Sequence, residues 1–334
     1  MSECDIHLNN LGNFYPGSAV EGKVVCNFTS DTKVREITCR IKGKERTVIK
    51  NGKQTLVGRN TFFDQIQILI GEGTLPAGYH EFNFSFILPL HIPPCISKEP
   101  SWTESTKGRI YYTVKAVVNR PYNFDYTKKI NIIVQPLQVD FNTIPQKLRM
   151  TPVEYKNEKT VCCCCCTSGP ITLTMCLEKE AFVLGEVARV LVKIVNLSKT
   201  SVQELELTLK DRFDFYPREN AKIIRTKKEV LAIEKVPGVA PHGRRIYRIN
   251  LLIPPNINIT TLEYATLIKQ RFVLKAKAVL PKCHRNFATS TSLTLGHVPL
   301  YDSRSFQQDR TYNVGVEIED SELPLVSTNT CVLF

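Results

Sequence analysis

Nowhere in the 334 residues does an uncharged apolar run approach the roughly 18 positions that a membrane span requires. The first twenty residues also lack a basic start followed by an apolar core, so they do not read as a secretory signal. The expected compartment is therefore the cytoplasm, where thiols stay reduced. Catalytic signatures are equally sparse. The six histidines, His7, His80, His91, His242, His284 and His297, are scattered, and none pairs with Cys, Ser or Glu at a recognised spacing. There is no phosphate-cradling glycine-rich loop and no Gly-x-Ser-x-Gly elbow. These absences argue against an enzyme and give no reason to expect a cofactor or a catalytic metal. Convincing helical repeats are missing as well, and that turns attention to strands.

What is present is alternation. Ile37, Cys39 and Ile41 share one face, opposite Thr38, Arg40 and Lys42. Phe82, Phe84, Phe86 and Leu88 repeat the pattern, as do Ile110, Tyr112, Val114, Ala116 and Val118. Later come Leu205, Leu207 and Leu209, then Phe272, Leu274, Ala276 and Ala278. A period of two is what half-buried strands need, because successive side chains leave opposite faces of a sheet. Turn signals such as Pro16-Gly17, Asn51-Gly52, Pro237-Gly238 and Pro254-Pro255 punctuate the runs. With 43% hydrophobic and 23% charged residues the chain is globular, and its length predicts two domains. The fold class is all-β, built from antiparallel sandwiches.

The sandwich occurs twice. Tyr15-Pro16-Gly17 with Val20 and Val24 returns as Val183-Leu184-Gly185-Glu186 with Val187 and Val190. Leu75-Pro76-Ala77-Gly78 and the run to Leu88-Pro89 return as Ala240-Pro241-His242-Gly243 and the run to Ile253-Pro254-Pro255. Order and spacing are kept, which is the mark of an internal repeat. The expected organisation is a first sandwich over residues 5–145, a linker over 146–168, a second sandwich over 169–300 and a flexible tail over 301–334. That tail carries six acidic residues against two arginines, on a chain whose formal net charge is +12. An acidic tail on a basic body invites self-association or competition with an acidic partner.

Two tandem sandwiches with these turns resemble the arrestin fold, and within it the arrestin domain-containing proteins, or α-arrestins. The likeness is carried by Tyr15-Pro16-Gly17, the stretch from Leu75 to Pro89, Gly108 to Ala116 with Arg120-Pro121, and Val139 to Asn142. In the second half it is carried by the Cys162 run, Gly169-Pro170, Gly185-Glu186 and Asn196-Leu197-Ser198. The resemblance implies adaptor work in endocytosis and endosomal sorting. Such an adaptor binds cytoplasmic tails of receptors or transporters, sits peripherally at plasma membrane and endosomes, and often recruits a HECT-type ubiquitin ligase. An alternative within the fold is a structural scaffold or retromer-type coat subunit. Relatives often carry Pro-Pro-x-Tyr for WW domains, but here Pro93-Pro94 is followed by Cys95-Ile96 and Pro254-Pro255 by Asn256-Ile257. The polar stretch from Ser97 to Thr106, with Trp102, is a second departure.

Three further constellations stand out. The run Cys162, Cys163, Cys164, Cys165 and Cys166 admits small buried hydrophobes, S-palmitoylation or metal ligation. The sequence Cys331-Val332-Leu333-Phe334 matches a prenylation pattern at Cys331, and also a PDZ-type ligand. Basic groups at Lys42, Lys44 and Arg46, at Arg225, Lys227 and Lys228, and at Arg244 and Arg245 offer sites for phosphorylated tails or an anionic membrane surface. Nucleic acid is not expected, since no binding motif accompanies the charge.

Overall fold

A computed structural model describes residues 3–10, 13–98, 106–163, 166–222, 224–301 and 315–320. The chain divides into two compact units. The first is Met1–Leu137 with Asp214–Thr226 and Thr260–Lys269; the second is Gln138–Phe213, Lys227–Ile259 and Gln270–Phe334. The two short stretches of the first unit that come from the second half lie within the span read as the second sandwich.

In the first unit, one sheet runs in the order β1 (Glu3–Leu8), β2 (Ala19–Phe28), β7 (Gly78–Ile87). The other orders β10 (Tyr126–Ile132), β9 (Lys107–Asn119), β4 (Glu36–Asn51) and β5 (Gln54–Ile70), with β8 (Ile96–Lys98) on β9. The short strands β3 (Thr32–Val34) and β6 (Gly73–Leu75) pair separately. β4 and β5 are joined by Gly52 and Lys53, and Gly52 takes φ of 61°, which suits the first position of a two-residue hairpin loop. Between the sheets lie Val20, Val24, Ile37, Cys39, Ile41, Tyr112 and Val114, all fully buried. The Tyr112 hydroxyl is satisfied by donating to the Pro93 carbonyl, and burial pushes its ionisation well up.

The second unit has a sheet ordered β11 (Val153–Cys163), β12 (Cys166–Leu177), β14 (Val187–Asn196), β17 (Arg244–Leu252), β20 (Gly315–Asp320). Its facing sheet orders β13 (Ala181–Val183), β19 (Phe287–Gly296), β18 (Ile268–Val279), β15 (Val202–Phe215), β16 (Arg225–Val239). Leu173, Met175, Val192, Leu205, Leu207, Leu209, Tyr247 and Leu274 form its core. At about 1.5–3 kcal/mol per large buried side chain, this core dominates the unit's stability. Two 3-10 turns (Phe141–Thr143 and Pro145–Lys147) lead into β11, which occupies 153–163 of the expected linker, and β12 begins within it at Cys166. Residues 315–320, within the tail read as flexible, form β20.

The repeat is visible in hydrogen bonds. Gly17 and Gly185 take left-handed φ of 84° and 82°. The Ser18 N–H donates to the Tyr15 carbonyl and the Glu186 N–H to the Val183 carbonyl, closing the same turn twice. Downstream the Leu88 N–H reaches the Ser18 carbonyl, and the Ile253 N–H reaches that of Glu186. Among the described residues no helix is long and apolar enough to cross a membrane.

Candidate functional site

The outward face of the β5–β4–β9 ladder concentrates charge of one sign. Alternation along β4 sends Glu45, Thr47 and Ile49 into the core, so Lys44, Arg46 and Val48 are half-buried on the other side. Register places Arg46 directly opposite Arg59 on β5 and Arg109 on β9. The flanking rows are Lys44 with Thr61 and Tyr111, and Val48 with Val57 and Lys107. These three rows hold five cations and no carboxylate. Like charges directly opposite each other in a sheet are destabilising, so the row is held together at a cost that a bound anion would offset.

Two details sharpen the site. Arg46 Nε is buried and has no hydrogen-bond partner among the described residues, a deficit of about 1–3 kcal/mol that an acceptor would remove. A cleft of about 260 Å³ opens beside it, lined by Arg46, Val48, Lys107, Gly108 and Arg109. The Arg109 guanidinium stacks 5.0 Å above the Tyr111 ring, which fixes its direction. A neighbouring cleft of about 640 Å³, in the same unit, is lined by Leu56, Val57, Pro217, Arg218, Asn220, Ala221 and Lys222. Guanidinium groups with adjustable lysines around them suit phosphate or carboxylate oxygens, which they bind through paired N–H donors.

The other sequence-predicted residues fare differently. Lys42 is engaged: its ammonium lies 2.5 Å from Asp64, which also binds Arg40, and these cations hold the Asp64 carboxyl well below the usual carboxylate range. Lys44 and Arg46 stay on the cationic face, joined by Arg59 and Arg109. Arg225, Lys227 and Lys228 all lie on β16. The Lys228 charge acts with that of Lys210 to depress Lys275, for which burial is the larger cause. Arg244 and Arg245 lie on β17, and Arg245 donates to the Gly238 carbonyl at 2.8 Å. Cys162 and Cys163 end β11 and Cys166 opens β12, with Cys163 opposite Cys166. Cys164, Cys165, Trp102 and Cys331 lie outside the described residues. Among the described residues, no three His, Cys, Asp or Glu gather as a metal site.

Two family models match the chain. One, "Arrestin (or S-antigen), N-terminal domain", covers residues 4–140, and the other, "Arrestin (or S-antigen), C-terminal domain", covers residues 167–300. The chain belongs to the arrestin domain-containing family. Among its relatives, Arrestin domain-containing protein 17 of Caenorhabditis elegans is 29% identical over 203 residues, covering 55% of this chain and 45% of that protein. Arrestin domain-containing protein 15 of the same organism is 28% identical over 262 residues, covering 75% and 68%. Arrestin domain-containing protein 1 of Mus musculus is 23% identical over 283 residues, covering 82% and 62%. The arrestin-domain chain thus spans from just under half to about two thirds of these relatives' lengths.

Sequence reasoning did not single out the cysteine pair of the arrestin-domain chain. Cys4 on β1 stands directly opposite Cys26 on β2. The two thiols interact across the strands, so that Cys26 lets Cys4 ionise more readily, while Cys4 and then burial push Cys26 up. Cys39, by contrast, is pushed up to about 12 by burial. In the folded protein at neutral pH, Cys4 is expected to alkylate about tenfold or more faster than Cys39, because the thiolate is the reactive form. Timed iodoacetamide labelling followed by peptide mass spectrometry reads this directly. Equal rates would show that Cys26 does not activate Cys4.

Proposed function

We propose that this chain is a non-enzymatic adaptor in membrane-protein trafficking. It docks anionic cytoplasmic tails of receptors or transporters during endocytosis and endosomal sorting, peripherally at plasma membrane and endosomes. The observation that carries the reading is the Arg59–Arg46–Arg109 row with Lys44 and Lys107 beside it and no carboxylate among the nine positions. Membership of the arrestin family supports it. A link from cargo to a HECT-type ubiquitin ligase belongs to the same reading. Within these 334 residues no Pro-Pro-x-Tyr offers a WW-domain contact for that link.

The test compares wild type with the Arg46→Glu/Arg109→Glu variant for binding to phosphorylated and unphosphorylated tail peptides of endocytosed receptors. Loss of two charge-assisted contacts, at about 1.5–3 kcal/mol each, predicts a fall of tenfold or more for the phosphorylated peptides only. The variant turns the repulsion between positions 46 and 59 into attraction but leaves like charges opposite each other at 46 and 109, so its melting temperature should change little. Unchanged peptide affinity would exclude this face as the cargo contact. Loss of binding to anionic vesicles alone would move the role of the face to the membrane surface.

A further inference from the structure

The second unit carries a strand that is not fixed by the core as its neighbours are. β20 pairs antiparallel with β17 over its whole length, Gly315 opposite Asn250 and Asp320 opposite Arg245. It forms the outer edge of the five-stranded sheet. Val316 is half-buried against the core and stands opposite Ile249, whereas Ile318, opposite Tyr247, is 44% exposed. On the outward face Glu317 stands opposite Arg248, and an opposite-charge cross-strand pair contributes about 0.2–1 kcal/mol. Seating therefore rests on main-chain pairing, one apolar contact and charge. None of these is specific to a strand from the same chain. Taken away, β20 would leave β17 with the unpaired N–H and C=O groups that let a sheet edge accept another strand.

We propose that the β17 edge is a docking site for an extended partner peptide in which apolar and acidic residues alternate, and that β20 is its resident occupant. The pattern Val316-Glu317-Ile318-Glu319 describes what the edge selects: an apolar side chain toward Ile249 and Tyr247, and an acidic one toward Arg248. Addition to a sheet edge gives affinity through the main chain and specificity through alternate side chains. Only thirteen residues, 302–314, separate β20 from Tyr301. Because β20 belongs to the same chain, its seating is intramolecular, and a partner must compete with it. This inference stands on the sheet edge and is independent of the arginine row in the first unit.

The test uses the full chain and a variant that weakens β20, Val316→Asp/Ile318→Pro, which puts a charge toward the core and restricts the strand backbone. The probe is a fluorescein-labelled synthetic peptide of residues 313–322, with a scrambled peptide as control. The weakened variant should bind the probe at least tenfold tighter than wild type and ignore the scrambled peptide. Arg248→Glu in that variant should abolish binding, and a peptide with lysine at positions 317 and 319 should restore it. That restoration separates lost recognition from lost folding. Equal binding by wild type and the weakened variant, no binding by the latter, or capture of the scrambled peptide would overturn the proposal. A dimeric wild type whose dimer is lost in the weakened variant would also overturn it, assigning the edge to a second copy of this chain.

Discussion

Replacing Glu45 by alanine is expected to lower the stability of the first unit by about 3–5 kcal/mol, the loss of several buried hydrogen bonds at once. Glu45 is 1% exposed and faces the core from β4. Its two oxygens accept from the Thr266 N–H and hydroxyl and the Leu267 N–H, each at 3.0 Å, and from the Ile268 N–H at 2.7 Å. Three successive backbone donors converge on one side chain, and alanine would leave all of them in an apolar setting. A buried donor without a partner costs about 1–3 kcal/mol, and partial opening of the 260–269 segment limits the total. Glu45→Gln keeps the shape but turns an amide nitrogen toward one of the donors, so an intermediate loss is expected. Calorimetry should show the transition of the first unit moving down by about 10 °C for alanine, at about 2–4 °C per kcal/mol in a unit of this size. A shift under about 2 °C would mean that water replaces Glu45 as acceptor, and that the segment is held by other contacts.

Asn196→Ala is expected to cost the second unit a comparable amount. Asn196 is fully buried at the end of β14. Its Nδ2 donates to the carbonyls of Thr200 at 2.8 Å and Ala240 at 2.9 Å. Its Oδ1 accepts from the Ser198 N–H at 3.0 Å and the Ser198 hydroxyl at 2.7 Å. Alanine removes all four, for an expected loss of about 3–4 kcal/mol. Asn196→Asp should be worse, because its second oxygen would face the two carbonyls. Ser198→Ala should cost only about 1 kcal/mol. Urea unfolding read separately for the second unit orders the three variants. If aspartate proves milder than alanine, the amide does not bridge the two loops as described.

These residues show what alternation reveals and what it hides. Along β4 the period of two puts Glu45 and Thr47 in line with Ile37, Cys39 and Ile41, so a buried carboxyl was readable as an anomaly. Its partners lie more than two hundred residues away, and no local pattern points to them. Arg59 was within reach: counting back from the Asn51-Gly52 turn sets Arg46 opposite it, because a two-residue loop fixes register. Arg109 was not, since pairing of β4 with β9 joins strands about sixty residues apart. Asn196-Leu197-Ser198 was recognisable as a motif, yet why its residue types matter appears only with the loops it bridges. The tail strand was missed because six alternating residues among polar neighbours give too short a signal. The family, the all-β class and the internal repeat rest on longer patterns, and the turns at Gly17 and Gly185 bear out the repeat bond for bond.

The discontinuous make-up of the first unit has a consequence for synthesis. Its opening stretch, to Leu137, leaves the ribosome roughly 130 residues before Lys269, the last residue it needs. At about 5–20 residues per second that interval is on the order of 10 s. During it the nascent chain holds a carboxyl at Glu45, bound for the interior, whose amide donors have not yet been translated. The first half of the message therefore cannot yield a finished domain, and the emerging protein depends on its own later sequence, or on a chaperone, to cover that face.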